Sequence, residues 1–175
     1  MRTITSEEAA LLLQLELPAL QNEHGITKRV IEAIPLVGGD YRPDPQAKTA
    51  LELAWHIAAA EQRFLSGVAA GAFDLAPIHR PDTVNDSRDI ANWFAASFDS
   101  SFPHLAALSG TQAAKILDFR GVVQLPAVFF LRFSLNHSIH HRGQLSTYLR
   151  AMGGKVPAIY GESYDSAEAK KSAQA

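Results

Sequence analysis

Cysteine is absent from the 175 residues, which excludes disulfides, thiolate-held iron–sulfur clusters, zinc ribbons and a cysteine nucleophile. There is no surplus of one charge: sixteen Lys and Arg face eighteen Asp and Glu, a formal net charge of −2. A strongly basic face of the kind that binds nucleic acid is therefore not expected. Long hydrophobic runs are also missing. The most apolar stretch, residues 125–131, stops at Arg132, far short of a membrane span. The first residues, Met1 to Glu8, carry acids early and lack the apolar core of a signal peptide, so a cytoplasmic protein is expected. What is plentiful is apolar residue content, 47%, enough for one domain to build a core without covalent staples.

The apolar residues recur with helical rather than alternating spacing, and no run of strands stands out. Four long helices are predicted. The first covers residues 6–34, with Thr5 or Ser6 as its cap and a kink or break expected at Pro18 or Gly25. The second starts at Thr49, which forms a capping box with Glu52, and ends near Gly71. The third runs from about Asn85 or Ser87 to Leu108, with Pro103 a weak point, and a short extra turn is expected over residues 111–117. The fourth runs from Pro126 to Met152, where Gly153 and Gly154 stop it. The links between the first three helices exceed a dozen residues, which calls for a crossover connection in an all-α four-helix bundle. Residues 1–164 are expected to form one domain, and residues 165–175 a frayed, flexible C-terminal tail.

With thiols excluded, chemistry must come from imidazole, carboxylate, hydroxyl or a bound metal. Three of the seven histidines, His137, His140 and His141, fall within five positions. Advancing about 100° per residue places Phe130, Phe133, Leu145, Tyr148 and Leu149 on one side of the fourth helix, with His137 and His141 near its middle. His140 falls at the polar edge. An i, i+4 pair lies roughly 5–6 Å apart at Cβ and can meet one metal. On the second helix, His56 sits at the edge of the face made by Leu53, Ile57, Ala60, Phe64 and Val68, from where it can lean toward the same interior. Three neutral imidazoles would leave a metal one open position, and the donor set suits Zn²⁺, Ni²⁺ or Fe²⁺.

Asn136-His137-Ser138-Ile139-His140-His141-Arg142-Gly143-Gln144 resembles the H-x-x-x-H-R-G-Q signature of the DinB-like superfamily. Trp55-His56-Ile57 with Ala60-Glu61 is similar to that family's second-helix histidine segment, and Met152-Gly153-Gly154-Lys155-Val156-Pro157 to its continuation after the last helix. The resemblance implies a four-helix bundle in up-down-down-up order, commonly a homodimer, with His56, His137 and His141 as the metal triad. Some members are thiol-dependent transferases or isomerases. That would make this chain a metal-dependent enzyme working on a low-molecular-weight thiol and a small electrophile, with no nucleic-acid or membrane partner. The alternative is a non-catalytic dimeric metal-binding bundle, stress-related or of other role.

Three further polar residues lie close to the motif. Glu61 would either orient an imidazole N–H or pair with Arg142, with an ordinary interhelical ion pair slightly favoured. Arg142 and Gln144 would either bind an anionic substrate or steady the site, or else serve structure. In the structural reading, favoured for both, Arg142 holds a neighbouring helix or loop and Gln144 hydrogen-bonds within the bundle. Trp55 is expected on the solvated side of its helix, marking a subunit interface or lying under the 35–48 link. His24, His79 and His104 read as surface residues.

Overall fold

A computed structural model describes residues 3–173; positions 174 and 175 of the expected tail lie outside them. The four long helices are α1 (Ser6–Glu32), α2 (Ala50–Ala70), α3 (Ser87–Ala106) and α5 (Ala127–Ala151), with the short helices α4 (Gly110–Ala114) and α6 (Tyr164–Ala173). Local chemistry accounts for the ends. Thr5, Thr49 and Asp86 each complete a capping box with an acid three residues on. Gly71 closes α2, and Gly153 follows the C-terminal cap of α5, both with positive φ that a side chain would resist.

Several expectations are corrected. α1 continues through both Pro18 and Gly25 without a break. A helical proline loses one hydrogen bond, but Leu13, Leu20, Ile26, Val30 and Ile31 bury one continuous stripe on either side of it, and that packing holds the helix together. α3 likewise continues through Pro103.

The fold is mostly helical but not purely so. Residues 116–126 form an antiparallel hairpin, β1 (Ile116–Phe119) and β2 (Val123–Pro126), where no strand was expected. Its turn places Arg120 and Gly121 at φ 62° and 68°, the left-handed pair that matches strand twist in tight hairpins. Arg120 hides this signal, because a non-glycine residue rarely adopts that conformation. The Asp118 carboxylate stabilises the turn by accepting from Gly121 N–H at 2.6 Å and from the Gln124 amide at 2.7 Å. Finally, the tail expected to fray is helical from Tyr164 to Ala173, tied back by Asp165, which accepts from Val156 N–H at 2.9 Å and pairs with Arg150.

α1 packs between α3 and α5, and α2 packs between the same two helices from the opposite side. One core joins the end of α1 to the starts of α2 and α3 and the end of α5, through Val30, Ile31, Leu53, Ile57, Ile90, Phe94, Leu145 and Leu149. A second joins the start of α1 to the ends of α2 and α3 and the start of α5, through Ala9, Leu13, Phe64, Val68, Phe98, Leu105 and Leu131. The histidine cluster lies at the level between these two cores, on the α2–α5 seam. Among the described residues, no helix is long and apolar enough to cross a membrane.

Candidate metal centre

α5 presents its face as a helix must, but the buried stripe is centred differently from the sequence-based estimate. Leu131, Ser134, Leu135, Ser138, Arg142, Leu145 and Leu149 are buried, whereas Phe133 is exposed and His137 and His141 are half-buried. The histidine pair thus flanks the buried stripe rather than occupying its middle. Ser134 and Ser138 are fully buried, and the Ser138 hydroxyl donates to Glu61 of α2, so this polar side of α5 faces the interior. The consequence is functional: the imidazoles face the groove between α2 and α5, where a small molecule can reach them.

Across that groove stands His56. Its Nε2 lies 3.1 Å from His137 Nε2 and 3.2 Å from His141 Nε2. The rings are steeply tilted to one another, 59° to 83°, so their edges rather than their faces converge. His140 stands outside this group. It is exposed and meets His141 only edge to ring at 4.8 Å.

The donor chemistry fits a cation. A tetrahedral metal with bonds of about 2.0–2.1 Å separates its donors by about 3.3 Å, close to the two distances from His56, and all three donor atoms lie within 4.8 Å of one another. Hydrogen bonding alone serves the cluster poorly. Gln144 Oε1 is an acceptor and lies 2.7 Å from His141 Nδ1, so the His141 proton sits on Nδ1 and its Nε2 offers a lone pair to the centre. One proton on His56 Nε2 can then complete only one of its two short contacts. A cation would use all three lone pairs at once. Among the described residues, His137 Nδ1, the remote nitrogen of that ring, is buried without a partner, a cost that this side of the ring bears for placing Nε2 in the cluster.

Burial and charge repulsion also keep His56 and His137 uncharged. His137 is held down to about pKa 4, first by desolvation and then by His141, His56 and His140. His56 is lowered by desolvation, with further contributions from His141 and Lys48. Both are therefore free bases near neutrality, the form that binds metal.

The neighbouring residues sort differently. Glu61 is buried and accepts from His24 Nδ1 at 2.6 Å and from the Ser138 hydroxyl at 3.3 Å; it touches neither Arg142 nor the three clustered imidazoles. It forms the interhelical pair favoured on sequence grounds, with an unexpected partner. His24, read as a surface residue, is buried between Phe94 and Phe98, its ring centroid 4.1 and 4.0 Å from theirs. The spacing of Leu13, Leu20, His24, Thr27 and Ile31 along α1 is the signal that could have placed it. His79 and His104 are exposed as expected.

Arg142, only 2% exposed, binds Glu23 Oε2 at 2.5 Å, Thr27 Oγ1 at 3.3 Å and the Tyr160 hydroxyl at 2.6 Å. It ties α5 to α1 and to the segment beyond α5. Trp55 is half-buried against Trp93 of α3, ring centroids 4.6 Å apart, so neither the solvated side nor the 35–48 link explains its position by itself.

Two clefts open beside His56. One, of 340 Å³, includes His137, Phe64, Phe133 and the hairpin residues Phe119 and Arg120. The other, of 700 Å³, is walled by both long links and by α2. Sequence reasoning placed none of the link or hairpin residues beside the histidines, and read His79 only as a surface residue, because only the tertiary fold brings them there.

The helical fold that carries this cluster is shared with solved structures. The chain is similar in structure to a DinB-like protein from Bacillus subtilis, with TM-score 0.70 and 21% identity over 85% of this chain and 99% of that one. A DinB-like protein from Bacillus cereus also gives 0.70, at 24% identity over 83% and 95% of the two chains. A conserved protein from Enterococcus faecalis gives 0.57, at 16% identity over 79% and 95%. No curated protein matches the chain in sequence. The family model described as the DinB family matches residues 12–173, nearly the whole length. By that match, carried across all four long helices and the histidine motif, this chain belongs to the DinB family.

Proposed function

We propose that this protein is a metal-dependent enzyme in which His56, His137 and His141 hold one divalent cation, Zn²⁺, Ni²⁺ or Fe²⁺, and that it acts as a thiol-dependent transferase or isomerase. The observation that carries the reading is the convergence of three Nε2 atoms, with Gln144 setting the His141 tautomer from behind. A cation held by His56, His137 and His141 would supply Lewis acidity and ease loss of a proton from a water or thiol near neutrality. The chain's own residues do the rest. Gln144 holds the His141 ring in place, and the two clefts admit reactants on either side of His56. With no cysteine in the sequence, the sulfur must arrive on a diffusible low-molecular-weight thiol, which would add to a small electrophile.

The same reading includes helices in up-down-down-up order, supported by the pairing of helix ends in the two cores. It also includes a cytoplasmic homodimer. Support for dimerisation comes from Leu11 and Leu15 on α1, which are 59% and 61% exposed.

The test is metal analysis of untagged protein together with X-ray absorption on the bound ion. We expect about one equivalent, three imidazole nitrogens and an exchangeable oxygen. We also expect turnover with at least one thiol–electrophile pair. A saturated, water-free sphere without turnover supports the non-catalytic metal-binding bundle instead, and absence of metal overturns both.

A further inference from the structure

The two clefts beside His56 differ in chemical character. The smaller is largely aromatic, and its two arginines are already engaged. Arg63 donates to the Ala76 carbonyl at 2.8 Å and to that of Asp74, while Arg120 lies over the Phe119 ring. The larger cleft gathers three cations, Arg42 and Lys48 from the first link and Arg80 from the second. Its one carboxylate, Glu52, accepts from Thr49 N–H at 2.8 Å, and that bond, together with the charges of Arg42 and Lys48, lowers its pKa, so the cleft keeps a surplus of two cations over the carboxylate. Among the described residues, Lys48 and Arg80 make no hydrogen bond or ion pair, and Arg42 makes only a 3.4 Å bond to the Pro45 carbonyl. Elsewhere, Lys28, Arg132, Arg142 and Arg150 each hold a carboxylate.

Three cations gathered around one cavity repel one another, and an entering anion relieves that repulsion. Arginine forks suit carboxylate and phosphate oxygens, and lysine adds a point charge. His56 forms part of the same wall, so a ligand held by these cations reaches the histidine cluster without crossing protein.

We propose that the larger cleft binds a small organic anion bearing carboxylate or phosphate groups, which Arg42, Lys48 and Arg80 grip while its reacting end lies toward His56. This inference rests on the proposed metal-dependent reaction for the role of that reacting end, and on the cleft alone for anion binding.

The test is calorimetric titration of the full-length protein with succinate and, separately, with inorganic phosphate, while metal content and metal affinity are measured on the same preparations. We expect saturable binding of at least one of the two, weakening as salt rises toward about 0.15 M. Succinate alone identifies a carboxylate ligand, and phosphate alone a phosphate ligand. The double variant Lys48→Gln/Arg80→Gln should lose about a hundredfold in anion affinity, roughly tenfold for each cation removed. Lys155→Gln, which removes an exposed cation outside the cleft, should bind like the parent protein. Both substituted cleft residues are exposed, and circular dichroism checks that the variant folds.

Anion affinity unchanged in the double variant, or no binding of either probe by the parent protein below about 10 mM, overturns the inference. Protein that binds metal but neither anion defeats this inference alone. Protein that binds an anion through Lys48 and Arg80 but no metal defeats the metal reading and leaves the anion site standing.

Discussion

Removing the three clustered imidazoles one at a time should cost nearly equal metal affinity, while removing the fourth nearby histidine should cost almost none. His56, His137 and His141 each direct one Nε2 to a common point, whereas His140 is exposed and touches only the ring of His141. Histidine-containing zinc sites bind with about 10–16 kcal/mol in total, so one of three protein ligands accounts for about 3–5 kcal/mol. At about 1.4 kcal/mol per decade, that is a weakening of about 10²- to 10⁴-fold for His56→Ala, His137→Ala or His141→Ala. Gln144→Ala leaves all three donors in place but removes the acceptor that sets the His141 tautomer, and should cost about 10- to 100-fold. His140→Ala should stay within about threefold, since surface substitutions away from a site change little. Competition against a chromophoric chelator, with each variant's fold checked by its thermal transition, gives these affinities directly. The reasoning is refuted if His140→Ala loses as much as His141→Ala, or if one of the three clustered histidines can be removed at no cost.

Three further outcomes follow from other parts of the structure. His137 has a folded-state pKa near 4 against an ordinary value of 6.5, so between these values the unfolded chain binds the extra proton. Metal-free protein should therefore be fully stabilised above about pH 6.5 and lose stability as pH falls toward 4, and His137→Phe should flatten that part of a Tm-against-pH profile. Glu61→Leu strands buried His24 and the Ser138 hydroxyl, and should cost about 3–5 kcal/mol in urea unfolding; a loss below about 1 kcal/mol would show that the pair does not matter. Gly121→Ala meets no neighbour within 4 Å, so only its positive φ opposes the change, and the expected loss of about 1 kcal/mol should appear as a small drop in Tm.

Much of the scaffold was readable because its signals are local. The Thr49–Glu52 capping box and the left-handed Gly71 bound α2 within a residue of the expected limits, since capping is decided by groups within one turn. The i, i+4 spacing of His137 and His141 puts both on one side of α5 whatever surrounds the helix. Where a local rule met a longer-range force, it lost. Pro18 argued for a break that the buried stripe of α1 overrides, and Arg120 masked a turn that cross-strand pairing and Asp118 stabilise. His24 looked like an isolated surface histidine because its partners, Glu61, Phe94 and Phe98, lie on other helices.

From sequence alone came the helical periodicity, the helix ends, the absence of any protein thiol and the separation of His137 and His141 from His140. Each depends on bonding or rotation within a few residues along one chain segment. Only the packed fold decided that His56 stands 3.1 and 3.2 Å across the groove from the pair, that Gln144 backs His141, and that two distant links carry Arg42, Lys48 and Arg80 to the same wall. Those distances depend on how helices cross and how loops return over them. Such geometry arises from the joint burial of many side chains, and no single stretch of residues encodes it.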